Sequence, residues 1–228
     1  MKTIGILGAM PEEIKLLAAM LEDPSTQQKG GVTFHLGRLF DKKAVLCCAG
    51  MGKVNAAAAT QLLITAYGAD AIICNGIAGN FSSEIGVGDV VIGQSAVYHD
   101  AELAMIAQSY PGLREYPAAE ALVSAACEAC REEGVRFITG RIATGDQFIA
   151  DPVKKADIAA RCAPACVEME GAAVAHIAAK NDVPFVIIRT MSDECDELAA
   201  QKLVVEQFDV TAYCRTAADI VAGAVRRL

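Results

Sequence analysis

The sequence predicts an α/β fold: a single domain over residues 1–228, with a mixed central β-sheet flanked by helices. Three observations carry that expectation. Apolar runs of strand length alternate with longer stretches at helical spacing. Two strand-like runs, VTFHLGRLF and KAVLCCA, are separated only by a turn near Asp41, which adds a hairpin to the sheet. No internal repeat or low-complexity linker divides the chain.

Taken in order, TIGILGA reads as a buried strand, and Pro11 suits the first turn of a helix running to about Leu21. The hairpin pair follows. GMG then breaks the pattern before an Ala-rich helix, KVNAAAATQLLITAYG. DAIICN is a buried strand, GIAGN a flexible stretch after it, and VGDVVIGQ another strand. Tyr98 to Pro117 has no clear period and reads as a long loop, a kind of segment that often carries function. Next come the helix PAAEALVSAACEACREEG, the strand VRFITGRIATGD and a short helix from about Pro152. CVEM leads into the helix GAAVAHIAAK, and VPFVIIRT is a further strand. Leu203 to Leu228 reads as a long amphipathic helix.

Composition narrows the class. Apolar residues make up 54% and aromatics only 5%, with no Trp, so Ala, Val, Ile and Leu must build the core. A net charge of −8 without a basic patch argues against nucleic-acid binding. Most of the nine Cys, among them Cys47, Cys48, Cys74 and Cys214, sit inside apolar patterns, as buried thiols in a reducing, cytoplasmic setting do. Cys127 and Cys130 form a C-x-x-C on a helical stretch, and Cys162 and Cys166 a C-x₃-C. Neither has a second pair or a His at ligand spacing, so helix packing is expected rather than a metal site. Pro11-Glu12-Glu13 cuts off the short apolar start, unlike a secretory signal, and Val54 to Ala69 is too short and polar to span a membrane.

The chemistry concentrates where acidic residues border apolar runs. Val167-Glu168-Met169-Glu170-Gly171 enters a helix, and Arg189-Thr190-Met191-Ser192-Asp193 ends a strand. Burying a carboxylate costs several kcal/mol unless it is paired or used. The carboxyl ends of strands are also where open α/β sheets bind ligands. Glu12-Glu13 follows the first strand in the same way. Surface charge explains Glu12, Asp196 and Glu197 well, and Glu170 and Asp193 poorly. GMGKVN could open a dinucleotide fingerprint, but Asn55 stands at its third Gly position and Asp70 begins the next strand instead of ending it. A tight turn bringing backbone close to a substrate fits better. Of the three His, His176 reads as structural, His35 as exposed on a strand, and His99 as either loop packing or catalysis. No nucleophile elbow accompanies them, so Asp and Glu are the candidate acid and base.

Together, GILGAMPEE, AGMGKVNAA, ICNGIAGN, VGDVVI, YHDAE, ATGDQFI, VEMEGAAVAH and RTMSD, in this order, resemble the methylthioadenosine/S-adenosylhomocysteine nucleosidases of the purine nucleoside phosphorylase-like superfamily. The resemblance runs to about residue 196. It implies a nucleoside phosphorylase-like fold that hydrolyses an adenine N-glycosidic bond with no metal or cofactor. On matching positions it implies that Asp193 protonates adenine N7, with Ser192 orienting it. Glu170 would bind the ribose hydroxyls and favour an oxocarbenium-like transition state. Glu13 would hold and deprotonate the attacking water. Met169 would pack on the sugar and Phe148 on adenine. The Ile149 backbone would read the base edge, Ala78 and Gly79 would line the pocket, and Met10 and Met51 would complete the substrate contacts. It also implies a homodimer with a shared active site, in which Leu103 and Ile106 of the loop after YHDAE reach a neighbour's 5′ pocket.

The chain departs from the family pattern at Ile77, where Ser is usual, at Ile106 and Gln108, where aromatics are usual, and at Leu203, where Phe is typical. These positions bear on the 5′ group, so a futalosine-type or deoxyadenosine nucleosidase is the alternative within the class. A phosphorylase would need Arg residues for phosphate, and DAIIC has none. A non-catalytic nucleoside-binding protein would not need Glu13, Glu170 and Asp193 together.

Overall fold

A computed structural model describes residues 2–197, 199 and 210–228. The chain opens with β1 (Thr3–Gly8), α1 (Pro11–Ala19), β2 (Glu22–Lys29), β3 (Val32–Leu39), β4 (Lys42–Cys48) and α2 (Lys53–Tyr67). Then come β5 (Ala71–Asn80), β6 (Val90–Tyr98), α3 (Leu103–Ile106), β7 (Tyr116–Pro117), α4 (Glu120–Glu132) and β8 (Phe137–Thr144). The last elements are α5 (Pro152–Cys162), β9 (Cys166–Glu168), α6 (Gly171–Lys180), β10 (Phe185–Asp193) and α7 (Thr211–Arg226). The expected terminal helix is present from Thr211, and its 203–209 part lies outside the described residues.

The sheet is mixed, as expected, with ten strands among the described residues. β5, β10, β6, β8 and β9 pair in a closed circuit. From β5 the sheet extends through β1 and β4 in parallel, then β3 and β2 antiparallel. Period-two alternation splits the core into two layers. Ile4, Ile6, Ile73, Val186 and Ile188 face the layer built with Leu17, Leu122 and Val221 of α1, α4 and α7. Leu7, Ile72, Cys74 and Ile187 face the layer built with Leu63 and Val174 of α2 and α6. Burial on both faces is why the central strands read as unbroken apolar runs.

Two elements differ from expectation. GIAGN is not a flexible stretch; it is the second half of β5, paired with β10 and β9. Its glycines serve close approach. A Cβ on Gly76 would lie 2.1 Å from Arg189 Nη1, and one on Gly79 2.1 Å from Cys195 Sγ. β2, EDPSTQQK, has no apolar alternation because it is an edge strand exposed along its whole length. It holds by backbone pairing to β3, with an irregularity between Glu22 and Ser25 beside Pro24. The 98–117 segment is mostly loop, with one turn of helix and the two-residue β7 inside it. Cys127 and Cys130 are buried on α4, in the packing role expected. No helix among the described residues is long and apolar enough to cross a membrane.

Candidate active site

The carboxyl ends of β1, β5, β9 and β10 open onto one cavity of about 170 Å³. Glu13, Glu170, Asp193, Met10, Met51, Ala78, Gly79, Phe148, Ile149, Met169 and Ser192 all line it. Glu168, Arg189, Ile77, Val167 and Cys195 also line it. Leu103 and Ile106 do not; they lie half-buried on α3 against the core of their own chain, beside the exposed Met105. His99 follows β6 as a packed residue against Gly145, outside the cavity. His176 stacks on Tyr116 at 4.8 Å, in its expected structural role.

Glu13 is 2% exposed, in the first turn of α1. Its Oε2 accepts from the backbone N–H of Ala9 at 2.6 Å and of Met10 at 3.0 Å. Its Oε1 accepts from Ile77 N–H at 3.1 Å. A Glu three residues into a helix that reaches back to the preceding amides is half of a capping box, and the helix N-terminus favours its charge. Burial raises the Glu13 pKa above the ordinary 4.5, opposed by the Arg189 charge and these three N–H groups. The result is a buried, fixed and comparatively basic carboxylate.

Glu170 sits at the start of α6, facing the GMG turn. Its Oε1 accepts from Gly52 N–H at 2.8 Å, and its Oε2 lies 3.4 Å from Arg189 Nη2. The turn needs glycine, because Gly50 and Gly52 have φ of +89° and +95°. Lys53 ties it down: its Nζ donates to both Asp100 oxygens at 2.8 and 2.7 Å, and its N–H to Asp146 Oδ1 at 2.8 Å. GMGK is thus a tight turn that presents an amide and Met51 to the site. Burial pushes the Glu170 carboxyl up, with Arg189 and Gly52 opposing and Glu168 and Glu13 adding to the rise.

Arg189, 1% exposed, is the side chain whose role the sequence left unassigned. Its Nη2 donates to Glu168 Oε2 and Cys74 Sγ and approaches Glu170. Burial disfavours the guanidinium's charge, and Glu168, Cys74, Glu170 and Glu13 more than restore it. The R-x-x-S-D spacing was visible, but only the β5–β10 register reveals that Arg189 faces Gly76.

At the other end, Asp193 is half-buried. Its Oδ1 accepts from Cys195 N–H at 2.9 Å, and its Oδ2 lies 2.8 Å from Ser192 Oγ. Ser192 Oγ is also 3.2 Å from the Ala78 carbonyl. A hydroxyl has one proton and can also accept. It therefore donates to an ionised Asp193, or donates to Ala78 and accepts from a protonated one. Phe148 and Met51 stand at the mouth, 44% and 63% exposed.

The phosphorylase superfamily matches residues 3–228, which sets the class of this protein. A 5′-methylthioadenosine/S-adenosylhomocysteine nucleosidase from Shewanella sediminis (strain HAW-EB3) is 42% identical over 199 residues, covering 85% of this chain and 86% of the relative. The chain belongs to the 5′-methylthioadenosine/S-adenosylhomocysteine nucleosidase family. Among solved structures, the nucleosidase of that name from Neisseria meningitidis, in complex with methylthio-immucillin-A, has a TM-score of 0.93 at 35% identity and covers 100% of both chains. The futalosine hydrolase of Helicobacter pylori strain 26695 has a TM-score of 0.90 at 29% identity, covering 100% of this chain and 98% of its own.

Proposed function

We propose that this protein is an N-glycosyl hydrolase that cleaves 5′-methylthioadenosine and S-adenosylhomocysteine to adenine and a 5′-substituted ribose. The observation that carries this reading is the convergence of Glu13, Glu170 and Asp193 on one cavity that Met169 also lines. Membership of the family and the likeness to the inhibitor-bound nucleosidase support it.

The residues divide the work by charge. Asp193, protonated, donates to adenine N7, so the base leaves as a neutral group. Ser192 follows that proton by turning between Asp193 and the Ala78 carbonyl. As the glycosidic bond lengthens, positive charge builds on the sugar ring. Glu170 binds the ribose hydroxyls and lowers the energy of that charge, in a site where fixed dipoles act at low dielectric. Glu13 accepts a proton from the attacking water, and its raised pKa makes it a better base. Phe148 stacks on adenine and the Ile149 backbone reads its edge.

Electrostatics separates hydrolysis from phosphorolysis. Among the described lining residues Arg189 is the only cation, against Glu13, Glu168, Glu170 and Asp193, and it is already paired with Glu168. Such a cavity repels a phosphate dianion and admits neutral water.

The 5′ pocket is completed in a homodimer by the loop carrying Leu103, Met105 and Ile106. Exposed Val54 and Met105 offer apolar surface for that contact. Each would contribute about 1.5–3 kcal/mol when fully buried. Small apolar 5′ groups are therefore favoured over the charged homocysteine tail, and Ile77 in place of Ser adds to this. The free thiols suit a reducing cytoplasm.

The test is adenine release from methylthioadenosine, S-adenosylhomocysteine, 5′-deoxyadenosine and futalosine, with and without phosphate, alongside mass in solution. Phosphate-dependent ribose-1-phosphate would overturn hydrolysis. A strong preference for the homocysteine substrate would overturn the pocket argument, and a fully active monomer the shared site.

A further inference from the structure

Glu168 lies at the end of β9, buried, and both of its carboxylate oxygens are hydrogen-bonded. Its Oε1 accepts from Thr144 Oγ1. Its Oε2 accepts from the backbone N–H of Glu170 at 3.0 Å, from Gly171 N–H at 2.7 Å and from Arg189 Nη2. Thr144 Oγ1 in turn accepts from Ala172 N–H at 2.8 Å. The open amides at the start of α6 thus end on one carboxylate and one hydroxyl.

This arrangement has two outputs. The amides it holds belong to the backbone from which the Glu170 side chain projects, and a carboxylate there is favoured by the helix dipole. It also fixes Arg189, whose Nη2 then lies 3.4 Å from Glu170 Oε2. The Nη1 of Arg189 crowds the same point over Gly76 as Glu13 Oε1, at 2.1 and 2.7 Å from where a Cβ would stand. One buried group therefore sets the place of both working carboxylates.

We propose that Glu168, braced by Thr144 and acting through Arg189 and the α6 amides, is the positioning residue for Glu170 and Glu13. The assignment rests on the nucleosidase reading. Glu168 also contributes directly to the charge felt by Glu170. The charged groups facing Glu170 are Arg189 from β10, Glu168 from β9 and Glu13 from α1. Removing the Glu168 charge takes away a negative neighbour and leaves Arg189 to the other two, so Glu170 ionises at lower pH.

The experiment measures kcat, KM and the pH profile of adenine release from methylthioadenosine for wild type, Glu168→Gln, Thr144→Val and Thr144→Ser. Glu168→Gln is expected to lower kcat about tenfold and to move the acid limb of kcat/KM down by about one pH unit. Thr144→Val is expected to lower kcat about threefold, the scale of one hydrogen bond, and Thr144→Ser to restore it. The Thr144 pair keeps the test decisive if Glu168→Gln does not fold. Lost activity in Glu168→Gln with an unmoved acid limb, or equal kcat in Thr144→Val and Thr144→Ser, overturns the assignment while leaving the nucleosidase reading intact. Absence of adenine release by the wild type overturns the nucleosidase reading, and the assignment with it.

Discussion

The two ends of the cavity are built in opposite ways. At the end proposed for the ribose, Glu13, Glu168, Glu170 and Arg189 are all buried, and each carboxylate is fixed by backbone N–H groups. At the end proposed for adenine, Asp193 is half-buried, and Phe148, proposed to stack on the base, is 44% exposed. The difference fits the proposed chemistry. Transition-state charge grows on the sugar, and dipoles that need no rearrangement stabilise it best. The base needs one proton and a flat surface, which a looser wall supplies.

The largest expected effects break the chemistry at either end. Asp193→Asn can hydrogen-bond N7 but cannot deliver a proton, and should lower kcat by about 10²–10⁴-fold with KM little changed. Glu13→Gln should fall in the same range through loss of the base. Near-normal kcat in either folded variant, measured by adenine release, removes that residue from the mechanism.

Overpacking should separate the two ends more sharply. In Gly76→Ala the new methyl meets the buried, paired Arg189 and Glu13, and stability should fall by about 1–3 kcal/mol together with most of the activity. In Gly79→Ala it meets Cys195 Sγ and, at 3.1 Å, Asp193 Oδ1. That loop has one wall open to the cavity, so the loss should be smaller. Thermal melts and kcat for the pair decide it; equal losses would mean that both ends are equally rigid.

The pH dependence belongs to the ribose end. Burial raises both Glu13 and Glu170 above the ordinary 4.5. Activity needs them ionised, so kcat/KM should fall with decreasing pH well before the usual carboxylate range. Stability runs the other way. A group whose folded pKa is raised binds its proton more tightly when folded, so its contribution is complete below 4.5 and is lost as pH rises through the folded value. Tm should therefore decline from about pH 4.5 toward neutrality, less steeply in Glu170→Gln. A parallel decline in that variant would exclude Glu170 as its source.

Phe148→Ala should show the smallest effect: loss of stacking worth about 0.5–1.5 kcal/mol, read as a two- to tenfold rise in KM. No rise would mean that adenine is held by other parts of the wall.

The candidate carboxylates were legible because a charge at the edge of an apolar run has few structural explanations, and Glu13, Glu170 and Asp193 do line one cavity. Arg189 was visible in its motif but its work was not. Its partner Glu168 is 21 residues away and meets it only through strand pairing across the closed circuit. GIAGN looked flexible because glycine marks both turns and close approaches, and only its neighbours tell them apart. β2 left no pattern because neither of its faces is buried. Leu103 and Ile106 illustrate another limit: their expected place is on a second copy, and no feature of one chain's cavity includes them.

The closed circuit also dictates when the site can come into being. Glu13, Glu168 and Glu170 precede their shared cation along the chain, and Arg189 arrives on the last of the described strands, between β5 and β6. Until that strand inserts, three carboxylates face one another with no counter-ion, and their mutual repulsion opposes the collapse that the apolar strands drive. Insertion of β10 closes the ring and brings these carboxylates their cation in one event. Pairing between strands so far apart in the chain is slow to form. A chain ending before residue 185 would lack both the strand and the cation, so on the ribosome the pocket can form only after β10 has been made.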